Sequence, residues 1–308
     1  MTKKILITDD LFILPRHEGM LREAGFDNLL RIGGAADEAE LCEAILGAEG
    51  YIVGGIETVT ARVIAAGAPT LRAIAFTGTG YREFIPGHQE ATEQGVKITN
   101  APGANASAVA EFTLSLILPM VRRVPEISTP NGINTFEAPD FEDTTVAVVG
   151  YGQIGRRVTR LLSTIGFNVV VVGRSEAARL DGFEQIAMTE VPARADVVTM
   201  HVNKEHGENA LDASIIDQLK LGAVVINAAF PEAVDQEAIA HRLRAGELRV
   251  AFDKAMTVVD KSFPVGCFLE SKIQSGFYTR RAIELTSDMA TRSLLNVLGT
   301  GTDEHVVN

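Results

Sequence analysis

The run Val146-Ala147-Val148-Val149 leads directly into Gly150-Tyr151-Gly152-Gln153-Ile154-Gly155, and then into a helical pattern in which Ile154, Val158, Leu161 and Leu162 share a face. Few local structures accept that order: a buried strand, a glycine turn and a helix packed back on the strand. Each glycine has its own task. Gly150 permits the tight turn, Gly152 lets a pyrophosphate approach the backbone, and Gly155 lets helix and strand pack closely. The first helical amides, from Gln153, Ile154 and Gly155, then face the phosphate oxygens. The motif predicts a dinucleotide-binding unit.

The end of the next strand selects the dinucleotide. Asn168-Val169-Val170-Val171-Val172 runs into Gly173-Arg174-Ser175. An NAD site places an acidic residue near this point to bind the ribose hydroxyls. Here Gly173 carries no charge, Arg174 offers a planar cationic donor and Ser175 a hydroxyl, a set suited to a 2′-phosphate. The residues favour NADP(H) over NAD(H). Stacking of Arg174 on the adenine is the competing use, and Glu176 returns negative charge nearby.

The chain of 308 residues suggests two domains, and its 46% hydrophobic and 22% charged residues are those of an ordinary globular protein. A net charge of −12 argues against nucleic-acid and anionic-membrane partners. Cys42 and Cys267 are too few for a disulfide framework. The apolar run at Ile5-Leu6-Ile7 is too short for a signal peptide and no window reaches transmembrane length, so a cytoplasmic protein is expected. No His/Cys/Asp/Glu cluster has metal-ligand spacing, so no metal is implied.

Strand-like and helical stretches alternate throughout. Ile5–Thr8, Tyr51–Val53, Ala73–Phe76, Asp196–His201, Ala223–Asn227 and Arg249–Phe252 read as buried parallel strands. Helices are expected over Glu38–Leu46, Ala61–Ala66, Ala104–Val124 and Thr279–Leu298, with a loop over Pro125–Asp140. The alternation predicts an α/β chain with two doubly wound, Rossmann-like parallel sheets separated by a cleft.

With these elements in place, the chain resembles the D-isomer-specific 2-hydroxyacid dehydrogenases from about Gly54 to Ala290. The resemblance is carried by Leu71–Ile74 with Thr77–Tyr81, Asn100–Ala106 with Val109–Glu111, the glycine motif, Asp196–Val202, Leu221–Ala229 and Ala251–Asp253. It implies an outer, substrate domain of residues 1–100 plus 280–308, a nucleotide domain over 101–279, and a homodimer. It also implies that His201, Ala228, Ala229 and Asp253 contact the cofactor. Gly55, Gly78, Thr79, Gly80, Tyr81 and Phe230 are then expected to line the pocket of a small-molecule substrate, with Arg82 close by.

The reacting residues depart from that pattern. The family uses an arginine to grip the substrate carboxylate, a histidine to move the proton and a glutamate to raise the histidine's pKa. Phe230 stands at the arginine's place, Val258 at the glutamate's and Gln274 at the histidine's. Asp260 is a nearby substitute for the glutamate. Lys254, if partly desolvated, and Tyr278 are the candidate proton donors; each has a plain alternative, a solvent-facing lysine and a packing tyrosine. Arg280 and Arg281 read as surface cations. His201 is expected to order its turn and the ribose, His88 lies in a polar helical stretch, and His17, His206, His241 and His305 read as solvated. The expected function is an atypical NADP(H)-dependent oxidoreductase acting on a carbonyl or imine. An inactive NADP-binding sensor and the standard 2-hydroxyacid reaction with replacement residues are the alternatives.

Overall fold

The computed structural model describes residues 3–8, 13–54, 56–130, 132–173, 179 and 181–308. The chain divides into two compact units, Met1–Asn105 with Thr279–Asn308, and Ala106–Tyr278. Each is a parallel sheet with helices on both faces.

Unit 1 contains β1 (Lys4–Ile7), α1 (Pro15–Glu23), β2 (Asn28–Arg31), α2 (Glu38–Ala44), β3 (Ala48–Val53), α3 (Ala61–Gly67), β4 (Ala73–Phe76), α4 (Tyr81–Phe84), α5 (His88–Glu93) and β5 (Lys97–Thr99), with the long helix Arg280–Thr300. The sheet order is β2-β1-β3-β4-β5, all parallel. Strand alternation sorts its core into two layers. Leu6, Tyr51, Val53 and Ile74 pack with Leu41, Val63 and Ile64; Ile5, Ile7 and Ile52 pack on the other face with Leu21, Leu294 and Leu298. Gly50 lets the long helix close on the sheet, because a Cβ there would meet Leu294 and Leu298 at 3.1 Å. Thr279 caps that helix by accepting the Ala282 amide at 3.2 Å.

Unit 2 opens with α6 (Ala106–Val121) and α7 (Val124–Ser128), followed by β6 (Thr145–Val149), α8 (Gln153–Thr164), β7 (Asn168–Val172), β8 (Glu184–Ile186), β9 (Val197–Met200), β10 (Ala223–Asn227), β11 (Leu248–Phe252) and β12 (Phe268–Glu270). Its order is β12-β11-β10-β9-β6-β7-β8, again all parallel. Val146 and Val148 pack with α6 and α8, and Ala147 and Val149 with the helices on the opposite face, Gln236–Arg244 among them. The helical pattern over Ala104–Val124, expected to stop near Arg122-Arg123, forms a helix from Ala106 to Val121, and Arg123 turns into the left-handed region (φ 56°). The expected Pro125–Asp140 loop is corrected at its start, which α7 occupies. Among the described residues no helix is long and apolar enough to cross a membrane.

In each sheet the chain starts at an inner strand and runs first to one side, then to the other. The reversal falls between β1 and β3 in unit 1 and between β6 and β9 in unit 2. In open α/β sheets, ligands bind at the carboxyl ends of the strands beside such a reversal.

Candidate functional site

The glycine turn lies at the unit 2 reversal. Gly150 has φ +96°, and a Cβ there would lie 2.4 Å from the His201 carbonyl oxygen. A Cβ on Gly155 would lie 1.9 Å from the Gly150 carbonyl oxygen. These two glycines are therefore fixed by the fold itself. Gly152 differs, since nothing lies within 4 Å of a Cβ built on it. It is the N-cap of α8 and has no side chain to take up the amides of Gln153, Ile154 and Gly155. A turn that must be tight, with open space over uncapped helix amides, fits a dinucleotide pyrophosphate.

Tyr151, between the first two glycines, is buried against Val171 and Phe183. Its hydroxyl donates to Asp181 at 2.8 Å, and Arg156 lies over its ring at 5.4 Å. Burial, and then the bond to Asp181, push the phenol up to about 12. A Cβ on Gly173, just past β7, would pass 3.7 Å from Tyr151. Arg174, Ser175 and Glu176 lie outside the described residues, as does Gly55.

His201 follows β9 and donates its amide to Val149 at 2.7 Å, so it sits against the glycine turn. Its Nε2 is 3.0 Å from the Thr199 hydroxyl, and its buried Nδ1 has no hydrogen-bond partner among the described residues. Burial holds the imidazole down to about 3, so the ring is neutral at ordinary pH. Past β10, Asn227 ties the next turn by accepting from Ala229 at 3.1 Å and donating to the Phe230 carbonyl at 2.9 Å. Ala228 is buried, while Ala229 and Phe230 are half-buried.

The end of the sheet holds an arrangement that sequence reasoning missed. Asp253, after β11, accepts the amides of Ser275 at 2.7 Å and Gly276 at 2.9 Å, both in the loop leaving β12. Glu270, at the end of β12, accepts the Met256 amide at 3.0 Å and pairs with Lys261 at 2.7 Å, both in the loop leaving β11. Each strand-end carboxylate thus holds the loop of its neighbour. Burial raises the Asp253 pKa, opposed by the two amides. No spacing signals this clasp; only the parallel register of Phe252 with Glu270 brings its parts together. The Asp253 carboxylate is therefore already engaged by the chain's own amides.

The candidate reacting groups fare differently. Lys254 is exposed, which removes the desolvation its proposed role requires. Gln274 is exposed too, and Val258 is buried in the core. Asp260 is exposed and lies 3.4 Å from Arg244, and hydrogen bonds from Ser262 lower its pKa. Tyr278 is 42% exposed, with its ring 4.4 Å from that of Phe277. Arg280 and Arg281 are exposed.

In unit 1, the loop holding Gly78, Thr79 and Gly80 is pinned to Asn100 and Ala101. Ala101 donates its amide to Gly78 at 2.8 Å, and Asn100 its side chain to Thr79 at 2.8 Å. The Tyr81 hydroxyl donates to the Val307 carbonyl at 3.2 Å, so this buried residue serves the fold rather than presenting a free phenol. Arg82 lies 5.8 Å over the Tyr81 ring.

Two of the histidines expected in solvent are not. His17 is fully buried, accepts the Leu14 amide at 3.0 Å and meets Asp288 at 2.7 Å. His305 is half-buried beside Asp303 at 3.2 Å. His88 is half-buried with its Nδ1 3.1 Å from the Ile85 carbonyl, and His241 is exposed. The His206 side chain lies outside the described set.

Comparison with known proteins agrees with this geometry. Residues 114–257 match the model of the D-isomer specific 2-hydroxyacid dehydrogenase, NAD binding domain. A D-3-phosphoglycerate dehydrogenase of Mycobacterium tuberculosis is 32% identical over 225 residues, covering 70% of this chain and 42% of the relative. The chain spans about half the length of the curated relatives it matches. Among solved structures, the TT0316 protein of Thermus thermophilus shares 25% identity with a TM-score of 0.86, covering 99% of this chain and 100% of that one. An acyclic imino acid reductase in complex with NADPH and D-Arg shares the fold at 20% identity and a TM-score of 0.85, covering 99% of this chain and 100% of that one. The dinucleotide motif, the strand order and these matches converge: the chain belongs to the D-isomer specific 2-hydroxyacid dehydrogenase family.

Proposed function

We propose that this protein is an NADP(H)-dependent oxidoreductase that moves hydride to or from a carbonyl or imine carbon without the family's carboxylate grip. The observation that carries the reading is the glycine turn: two glycines required by close backbone contacts and a third, Gly152, over open space. The residues that would hold the cofactor are Gly150, Gly152, Gln153, Ile154 and Gly155 at the pyrophosphate, Arg174 and Ser175 at the adenosine end, and His201, Ala228, Ala229 and Asp253 along the remaining length. A bound nicotinamide would supply the hydride donor or acceptor.

The choice of NADP over NAD rests on this chain's own residues. The family model is that of an NAD binding domain, while the imino acid reductase of the same fold was solved with NADPH. The fold admits both, so the strand end decides. Gly173 brings no carboxylate to the ribose, and Arg174 with Ser175 follows it.

The substrate reading follows from charge. Phe230 cannot pair with a carboxylate, and an anion buried without a partner is costly. A carbonyl or imine compound without an α-carboxylate suits such a pocket better than a 2-keto acid. One observation favours a second reading, an NADP-binding protein without catalysis: Lys254 and Gln274 face solvent, and Val258 is packed in the core. Following NADPH oxidation against 2-keto acids, ketones, aldehydes and cyclic imines separates the two. Turnover of a substrate lacking the carboxylate supports the first; tight NADPH binding with no turnover in any class supports the second. Efficient turnover of 2-keto acids alone would refute both.

A further inference from the structure

The second reversal point, in unit 1, is occupied by the chain itself. Thr8 follows β1, and Gly54 follows β3. Between them lies the Glu57 carboxylate, only 3% exposed. Its Oε1 accepts the Gly54 amide at 3.0 Å, the Tyr51 hydroxyl at 3.3 Å and the Thr8 hydroxyl. Its Oε2 accepts the Ile56 amide at 3.0 Å. These four donors are neutral. They come from the end of one strand, the middle of another and the loop that follows it, and they converge on one carboxylate.

The neighbouring residue sharpens the point. Ile56 is 69% exposed while Glu57 is buried. A loop left to the hydrophobic effect would turn the isoleucine in and the glutamate out. Burying an ionised carboxylate is costly unless hydrogen bonds compensate it. The inversion is maintained because the donors are already aimed at that volume: amides at strand ends beside a hydroxyl pair are the chemistry that receives a bound carboxylate. Burial, then the Glu57 charge, raise the Tyr51 pKa, so its hydroxyl stays protonated and available to donate.

We propose that the ends of β1 and β3 form a carboxylate-binding nest which this chain fills with its own Glu57, barring small carboxylates from the crevice of unit 1. The position lies outside the dinucleotide turn, and the inference stands whether or not the oxidoreductase reading does, because its test reads stability rather than turnover.

The test uses the full chain carrying Glu57→Ala or Glu57→Gly, melted in acetate and in chloride at matched ionic strength. Both variants are expected to melt several degrees below the parent. Acetate should restore at least half of that loss, while chloride restores none and the parent responds to neither. The Gly54 and Ile56 amide resonances should move on acetate addition in the variants only. Glu57→Gln leaves the nest filled and is expected to melt lower without acetate rescue. If the variants fail to fold, refolding yield in acetate against chloride is the readout, with a several-fold higher yield in acetate expected. Equal action of the two salts, or an acetate response in the parent as large as in Glu57→Ala, would overturn the proposal and leave Glu57 a purely structural tie.

Discussion

Two glycine-bearing loops leave the carboxyl ends of parallel strands beside a reversal of strand order, and they treat their backbone amides in opposite ways. The β6–α8 loop of unit 2 presents its amides to open space at Gly152. The β3–α3 loop of unit 1 turns the amides of Gly54 and Ile56 onto its own Glu57. Topology creates the crevice in both sheets. Whether it is left to a ligand is decided by a single residue, a glycine in one and a glutamate in the other. A strand-end loop is therefore a receptor only where the chain declines to satisfy its own donors.

The most severe way to test the open half of that comparison is Gly155→Ala. The added Cβ would sit 1.9 Å from the Gly150 carbonyl oxygen, and no flexible side chain is there to yield. Helix and strand must separate. We expect a loss of about 3 kcal/mol or more in stability together with loss of measurable dinucleotide binding. Chemical denaturation and fluorescence titration with NADPH read the two effects. Undiminished binding would show that the turn's close packing is unrelated to the cradle.

Gly152→Ala sharpens the same point. Its Cβ meets nothing within 4 Å, so the unfolding free energy should change by less than about 0.5 kcal/mol. The methyl group would instead enter the space over the α8 amides. Affinity for NADPH and NADH should both fall by about tenfold or more, roughly 1.4 kcal/mol. A variant that folds and binds like the parent would remove the phosphate from this turn.

Legibility in the sequence followed the range of the interactions. The glycine motif and the continuous apolar runs Ile5 to Ile7 and Val146 to Val149, buried on both faces of their sheets, are local properties and were readable directly. The short edge strands β2, β8 and β12 were not. Their residues are half-buried or exposed apart from Ile186, and they lack the continuous apolar run of an inner strand. Nonlocal pairs were hidden for another reason. His17 looks polar by its neighbours, yet its partner Asp288 comes from a helix at the far end of the chain. The Glu270–Lys261 and Asp253–Gly276 ties depend on which strand lies beside which. Lys254 takes the solvent-facing alternative, because it stands one step beyond Asp253 at the end of β11, where the sheet no longer buries it.

Specificity at the adenosine end tests the cradle at a finer level. Arg174→Ala should weaken NADPH binding by about tenfold while changing NADH little, because a charge-assisted contact to phosphate contributes only where the phosphate exists. Paired titrations give the ratio directly. Equal losses for both coenzymes would assign Arg174 to the adenine and return the preference to NAD.

The smallest expected effect concerns His201, whose backbone closes the glycine turn. Its imidazole has a pKa of about 3, against an ordinary 6.5, because burial penalises the charged ring. Unfolding exposes the ring, and below about pH 6.5 the unfolded chain binds a proton that the folded one refuses. The folded state's advantage is therefore complete above that pH and is lost as pH falls toward about 3. Near pH 5.5 the loss from this residue should be about 1 kcal/mol. His201→Gln keeps an amide for the Thr199 hydroxyl but does not titrate, so its stability should fall less between about pH 7.5 and pH 5.5 than the parent's. Parallel pH profiles of the two proteins would show that the ring is hydrated in the fold.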